Sequence, residues 1–460
     1  MLNIPQILSK IKNISTDSRT VAPGDLFIAI AGEKFDAHDF ARDVINNKGA
    51  ALAIVQRPIA DVPEDKQIIV PDTKIAYLQI GEYIRRQLVR RSLGEGGSKA
   101  KVIALTGSAG KTTTKEMLKF ALSKFARVYA TEGNFNNDIG VAKTLCAMPA
   151  ETEIAIVEIG MNHAGEIANI VPHVAPDIAI VTNVYPMHIE FFPEGLPGIA
   201  RAKAEIFAGL GQNGAAVINA DSNCVEILTA AARNVVLYGK KDLISVSETG
   251  NQTQATLNIS GQQVDITLPL IGEHNISNAL CVLTVVSQLG LDVRRAAAAL
   301  ADFGALPGRG KVHRLRLPNG GEYTLIDESY SAQPESLKIA IRNLDSMNAG
   351  LPPGASAKGG RKIAVVGKMA EIGDKSAEMH CEIGRILAQT DIDVVVGICP
   401  ETRDILAQLP DSKFEKHYFE DNTGLEDFLI GNLLRDGDAV LIKGSHYGSR
   451  LFETVEKLIK

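Results

Sequence analysis

The segment that most constrains this chain is Thr106-Gly-Ser-Ala-Gly-Lys-Thr-Thr113, which follows the apolar run Val102–Leu105 and precedes a helical pattern. A glycine-rich turn between a strand and a helix lets successive backbone N–H groups wrap a phosphate, and the helix N-terminus adds positive potential. In such a cradle Thr106, Gly107, Ser108, Ala109, Gly110, Lys111, Thr112 and Thr113 bind ATP. Lys111 reaches the β- and γ-phosphates, and the Thr112 hydroxyl faces Mg²⁺. The bland alternative is a strand-to-helix turn that merely contains two glycines. The Gly-Lys-Thr-Thr run in this position argues against it. Only two residues separate Gly107 from Gly110, whereas the common phosphate loop has four.

A chain of 460 residues exceeds what one hydrophobic core usually spans, so several units are expected. Before residue 91 an apolar stretch, Asp25–Ala31, a helical pattern and a short strand at Ala51–Val55 make a small α/β unit. The glycine-serine stretch Ser92–Lys99 reads as a linker. Beyond it, apolar runs at 102–105, 154–159, 178–184 and 215–219 alternate with helical patterns, the signature of a parallel sheet covered on both faces. Residues 243–268 alternate in polarity like antiparallel strands, and 275–290 and 294–303 read as helices. A third α/β unit has apolar runs at 323–326, 363–367, 394–398 and 439–442, interrupted by a surface insertion at Asn348–Gly360. The expected units are 1–98, 99–307 and 308–460.

The net charge of −6 offers no basic footprint for nucleic acid. No apolar run reaches the roughly 18 residues of a membrane span, and the N-terminal stretch lacks a signal-peptide core. Five scattered cysteines without a C-x-x-C pair fit reduced thiols. The expected location is the cytoplasm.

Three further residues stand where ligands collect in open α/β sheets. Glu158 closes a central strand, where a hard oxygen donor suits Mg²⁺. His188 falls in the loop after the next strand. Lys203 sits on a helix, Ala200–Phe207. Taken singly, each is ordinary: a solvated carboxylate, a surface histidine, a solvated helix lysine. The loop Thr131–Gly140, with Asn137, reads by itself as a plain loop. The segment Gly272–Ala279, with Asn275 and Asn278, reads by itself as a helix cap.

Together these motifs resemble the Mur ligase family, and the resemblance covers essentially the whole chain. It implies a three-domain α/β fold: a small N-terminal domain, a central parallel-sheet P-loop ATPase domain and a C-terminal Rossmann-like domain. It also implies that Lys203 is carboxylated by CO₂ and, with Glu158 and His188, helps hold a second Mg²⁺. Asn137 would lie near the phosphates, and Asn275 and Asn278 near adenine. Thr16-Asp-Ser-Arg19 and Gly32–Phe40 look like the family's uridine-nucleotide module, making Ser18, Arg19 and His38 candidate UDP-sugar contacts. Arg309 and Asp327 would meet ATP as the C-terminal domain closes.

Asp327-Glu-Ser-Tyr-Ser-Ala-Gln-Pro334 is similar to the D-x-S-Y-N-A-N-P signature of members that add D-alanyl-D-alanine, so Ser329, Tyr330 and Ser331 are candidate dipeptide contacts. The implied partners are a UDP-N-acetylmuramoyl-tripeptide and D-alanyl-D-alanine, and the chain is expected to act as a monomer. Ser331 and Gln333 replace two asparagines of the signature. Lys368 stands where an acidic residue is common. Three rivals stay open at this stage: a Mur-type ligase for another amino acid or a glutamate tail, a P-loop kinase or regulatory ATPase, and an inactive nucleotide-binding scaffold.

Overall fold

The computed structural model describes residues 2–32, 35–92, 100–249, 252–347 and 360–460. All of the linker Ser92–Lys99 except Ser92, all of the insertion Asn348–Gly360 except Gly360, and Glu33 and Lys34 of the first unit lie outside these residues.

Four sheets organise the chain. The N-terminal sheet is parallel, with β1 (Ile14–Ser15), β2 (Leu26–Ile28), β3 (Leu52–Val55) and β4 (Gln67–Ile69) in that order. Its inner strands β2 and β3 are buried at every residue, as expected of strands covered on both faces.

The central sheet comprises β5 (Lys101–Thr106), β6 (Val128–Ala130), β7 (Ile154–Glu158), β8 (Ile178–Val181), β9 (Ala215–Asn219) and β10 (Val235–Tyr238). It is parallel throughout, in the order β10-β9-β8-β5-β7-β6. From β5 the chain builds first toward β6 and β7, then turns back to β8 on the other side. The crevice outside the carboxyl end of β5 is thus a reversal point, the place where open α/β sheets take ligands. An antiparallel three-stranded sheet follows, with β11 (Leu243–Thr249), β12 (Gln252–Ile259) and β13 (Gln262–Leu268). Helices Glu273–Gln288 and Val293–Leu300 come next.

The C-terminal sheet contains β14 (Lys311–Arg316), β15 (Glu322–Glu328), β16 (Lys362–Gly367), β17 (Val394–Ile398), β18 (Glu415–Phe419) and β19 (Ala439–Lys443). Its order is β14-β15-β19-β16-β17-β18, parallel except for the antiparallel edge β14. Here too the sheet reverses, between β16 and β19. Among the described residues no helix is long and apolar enough to cross a membrane.

The three units are joined unequally. Helix Thr73–Ser92 lies against helix Asp138–Cys146 of the central unit, and they touch so closely at Gly81 that a Cβ there would sit 2.7 Å from Leu145 Cβ. Arg85 Nε donates to the His173 carbonyl at 2.9 Å, and His173 Nδ1 lies 2.7 Å from Glu82 Oε2. One continuous buried cluster runs from Leu26, Ile54 and Ile80 into Val102, Val157 and Val181. Among the described residues, the buried clusters of the C-terminal unit, around Leu337 and Val366 and around Val365 and Ile442, contain none from the other two units.

Candidate active site

The phosphate loop leaves β5 at Thr106 and enters helix Lys111–Leu122. Gly110 adopts φ +77°, and a Cβ on it would stand 2.8 Å from Asn278 Oδ1. That tightness lets the loop pack against helix Glu273–Gln288, where Thr114 Oγ1 donates to Asn278 Oδ1 at 3.2 Å. On the other side the chain after β8 grips the loop. Asn183 Oδ1 accepts from Ala109 N at 2.7 Å, and Asn183 Nδ2 donates to the Ala109 carbonyl at 3.0 Å. Ser108 Oγ accepts from Tyr185 N at 2.9 Å. Lys111 Nζ donates to the Gly107 carbonyl at 2.7 Å. Loss of solvent pulls the Lys111 ammonium below the ordinary lysine range, an effect that the nearby Glu158 opposes.

The register Leu105↔Glu158 brings the end of β7 beside the loop. Glu158 is buried and organised from several sides. Thr112 Oγ1 donates to its Oε1 at 3.3 Å and Asn136 Nδ2 to the same oxygen at 2.9 Å. Lys115 Nζ lies 3.8 Å from Oε2 while donating to the carbonyls of Thr131 and Gly133 at 2.7 and 2.6 Å. Among the described residues Oε2 itself has no hydrogen-bond partner. A buried carboxylate oxygen left open beside a hydroxyl is a donor set for a hard cation. Among the described residues no three or more His, Cys, Asp or Glu side chains converge as a metal cage.

Lys203, at the end of helix Leu196–Ala204, is 2 % exposed. Burial, reinforced by the charge of Lys111, holds its pKa well below the usual value. His188, at φ +57°, turns Nδ1 to within 2.7 Å of Glu371 Oε2 in the C-terminal unit. His188 is the first cause of the lowered Glu371 pKa.

A cavity of about 600 Å³ opens over the loop, between the central and C-terminal units. Ser108 through Thr113 and Glu158 line its floor, Asn275 and Asn278 one wall, and Arg309, Tyr330 and Ser331 the facing wall. The Arg309 guanidinium stacks on the Tyr330 ring, 4.2 Å from its centroid.

Several expected contacts have other duties. The Asn137 side chain caps helix Asp138–Cys146 by accepting from Gly140 N at 2.9 Å, and its neighbour Asn136 is the residue that faces the cavity. Asp327 does not line the cavity. It accepts from Gly308 N at 2.6 Å and from the Ser329 hydroxyl at 2.6 Å, so both Asp327 and Ser329 are buried braces for the turn carrying Arg309. In the N-terminal unit the Arg19 side chain is 86 % exposed and paired with Asp17, and the Ser18 carbonyl accepts from Lys48 Nζ. Neither ring nitrogen of His38 is left to face a ligand: Nδ1 meets Asp36 and Nε2 accepts from Gln56 N at 2.8 Å.

Other residues belong to the site besides those candidates. Lys443 is 2 % exposed, pairs with Glu328 at 3.0 Å, and lines the cavity with it. Asn136, Asn183, Lys115 and Glu371 also enter by contact. For Asn183 a signal existed, because it directly follows a buried parallel strand. For Glu371 there was none.

The chain matches the Mur ligase family, catalytic domain, over residues 10–83, the Mur ligase middle domain over 105–286, and the Mur ligase, glutamate ligase domain over 308–446. It is 36% identical over 403 residues to the UDP-N-acetylmuramoyl-tripeptide--D-alanyl-D-alanine ligase of Escherichia coli (strain K12), with 85% of this chain and 82% of that protein covered. A crystal structure of MurF from Acinetobacter baumannii superposes with a TM-score of 0.86 at 30% identity, covering 99% of this chain and 97% of that one. MurF ligase from Thermotoga maritima in complex with ADP superposes with a TM-score of 0.82 at 27% identity, covering 100% and 98%.

Proposed function

This chain belongs to the Mur ligase family, and from that premise we propose that it joins D-alanyl-D-alanine to UDP-N-acetylmuramoyl-tripeptide at the expense of ATP. The products are the UDP-linked pentapeptide, ADP and phosphate, a step in building peptidoglycan precursor. The observation that carries the reading is the nucleotide cradle, Lys111 and Glu158 lying under a cavity whose other wall is the D-x-S-Y turn of the C-terminal unit. We carry 1–98 as the UDP-sugar-binding domain, 99–307 as the ATP-binding domain and 308–460 as the closing domain. The enzyme works as a cytoplasmic monomer.

A carboxylate is a poor acceptor for an amine until an oxygen becomes a leaving group. The tripeptide's terminal carboxylate oxygen attacks the γ-phosphorus, and ADP leaves. The dipeptide amine then attacks the acyl phosphate carbon, phosphate leaves with the bonding pair, and the nitrogen gives up its proton. Backbone N–H groups of Ser108–Thr113 hold the phosphates, Lys111 neutralises charge on the transferred group, and Arg309 approaches from the other wall. Asn275 and Asn278 flank the base, and Ser18 and Arg19 remain candidates for the uridine end.

The donor set also fits magnesium. Thr112 and Glu158 would hold one Mg²⁺, and Glu158, His188 and a carboxylated Lys203 a second. Magnesium, when bound, offsets the negative charge of the phosphates. The neutral amine is the form that adds to CO₂, and burial of Lys203 favours that form; its nitrogen would form the N–C bond and release a proton, and the carbamate would supply an oxygen donor the cage otherwise lacks. Replacing Asn136 with Ala removes a donor that orients Glu158. The Mg²⁺ concentration for half-maximal rate should rise about 10-fold, in line with other outer-shell partners of metal ligands. An unchanged Mg²⁺ titration would remove Asn136 from that role.

The reading is tested by phosphate release and product formation across a panel of UDP-muramoyl peptides and amine acceptors. Rapid turnover is expected with the tripeptide and D-alanyl-D-alanine together, and only slow ATP hydrolysis without the tripeptide. Equal hydrolysis in its absence, or no amide product with any acceptor, overturns it.

A further inference from the structure

One turn beyond the phosphate loop, helix Lys111–Leu122 carries a second lysine, Lys115, which is fully buried. A buried ammonium is costly unless oxygen atoms replace its lost water. Here they do. The Thr131 and Gly133 carbonyls accept from Nζ at 2.7 and 2.6 Å, and Glu116 Oε1 lies 3.1 Å away. An ammonium has three donors, and these three oxygens take up all of them. Lys115 therefore has no donor to offer a phosphate, in contrast to Lys111, which lines the cavity. An apolar side chain would fill the same interior space at no cost in desolvation. The charge calls for a reason beyond packing.

What the ammonium holds is the loop after β6. Thr131 N donates to the Ile156 carbonyl at 2.9 Å, and the Thr131 hydroxyl accepts from Glu158 N at 3.1 Å. The stretch tethered by Lys115 thus already touches the main chain of Glu158. Further along the loop, Asn136 lines the cavity and donates to Glu158 Oε1 at 2.9 Å. Asn136 is confined on its far side. Its carbonyl accepts from Gly160 N at 2.8 Å, and an added Cβ at Gly160 would stand 2.7 Å from Asn136 Oδ1. The loop is clamped at one end by Lys115 and at the other by Gly160, and Glu158 lies between the clamps. Glu158 Oε2 is 3.8 Å from Lys115 Nζ, beyond hydrogen-bond reach. The short bonds of the ammonium go to the loop, and this oxygen stays open.

We infer that Lys115 is a positioning residue for the magnesium that Thr112 and Glu158 would hold. By drawing the Thr131 and Gly133 carbonyls against the phosphate-loop helix, it sets where Asn136 and, through it, Glu158 point. Lys115 acts through these neighbours and touches neither nucleotide nor metal. The inference rests on the magnesium reading above and adds a residue to it. The bland alternative is a buried tether of helix to loop with no bearing on the metal. Another alternative has the opposite sign: the Lys115 charge competes with Mg²⁺ for Glu158, and removing it tightens metal binding. The distances favour a strut over a competitor, because the carbonyls are hydrogen-bonded and Oε2 is not.

The test is calorimetric titration of the full-length protein with ADP at a series of free Mg²⁺ concentrations and in chelator, which reads the metal without turnover. Wild-type affinity for ADP should rise with Mg²⁺ to a plateau. In Lys115→Met the Mg²⁺ concentration at the midpoint of that rise should be about 10-fold higher, the scale for outer-shell partners of metal ligands. Affinity in chelator should stay within about twofold, because the amides of Ser108–Thr113 that hold the phosphates remain. Asn136→Ala should shift the midpoint similarly, and the double variant by no more than the larger single shift, since both act on Glu158 through one loop. An unshifted midpoint in Lys115→Met, a lowered one, or fully additive shifts overturn the proposal and leave the magnesium reading standing. A wild type whose ADP affinity ignores Mg²⁺ overturns both. Should Lys115→Met fail to fold, Lys115→Gln, which loses the charge and keeps polar donors, carries the same comparison with the same deciding outcomes.

Discussion

Lys203→Met is expected to cut ligation by about a thousandfold or more, the scale on which preorganised electrostatic groups act, with no loss of thermal stability. The amine is buried, and loss of solvent lowers its pKa in the folded state. The unfolded chain therefore holds a proton at this position more tightly than the folded one. A group with a depressed folded pKa of this kind detracts from stability until the pH rises above its unfolded value, about 10.4. Methionine has a similar volume and no charge to bury, so Tm at pH 7 should be no lower than the wild type's. Activity behaves oppositely, because a carbamate cannot form on methionine. Wild-type rates should fall in CO₂-depleted buffer and recover with bicarbonate, whereas the variant should respond to neither. Phosphate release and a thermal scan decide it, and a variant with near-normal turnover would remove Lys203 from the chemistry.

Gly107→Ala should weaken ATP binding by about 100-fold or more, because several loop contacts are lost together. At φ +154° an added Cβ would fall 1.9 Å from Thr182 Oγ1, an overlap only a displaced loop relieves. Thr182 cannot turn aside freely, because its hydroxyl donates to the Ala109 carbonyl at 2.7 Å and so helps shape the cradle. Gly165→Ala is the matched comparison. Its φ is +87° with nothing within 4 Å of the added Cβ, so it should show only left-handed strain of about 1–2 kcal/mol and normal ATP affinity. Calorimetric titration with ATP separates the two. Comparable affinities would mean that the loop tolerates rearrangement.

The apolar runs read from the sequence correspond to the inner strands: β2 and β3, then β5, β7, β8 and β9, then β15, β16, β17 and β19. The strands it did not announce are the outermost ones of the three large sheets: β1 and β4, β6 and β10, β14 and β18. An inner parallel strand is covered on both faces and so writes a continuous Val/Ile/Leu run. An edge strand is short and half-wet, as the burial of Val128–Ala130 and Glu415–Phe419 illustrates, and its composition resembles a loop's.

The site divides in a similar way. Lys111, Thr112, Glu158, Arg309 and Tyr330 were legible because a motif or a strand end fixes where each backbone stands. Asn136 and Asn137 could not be told apart, since adjacent loop residues differ by which one caps the helix. Asp327 and Ser329 bond to each other beneath the turn, a pairing that depends on local packing. Glu371 meets His188 only through the arrangement of two separate sheets, and no spacing along the chain encodes that.

The close seam at Gly81 and the apolar cluster running through it make the first two units one rigid anvil. Among the described residues the C-terminal unit shares no such cluster with them, and it meets the central one through pairs such as His188 with Glu371. The phosphate cradle is thus fixed in one block, and the facing wall of the cavity is mounted on a separately built head. Residues of the head can change without disturbing the block that carries the phosphate cradle.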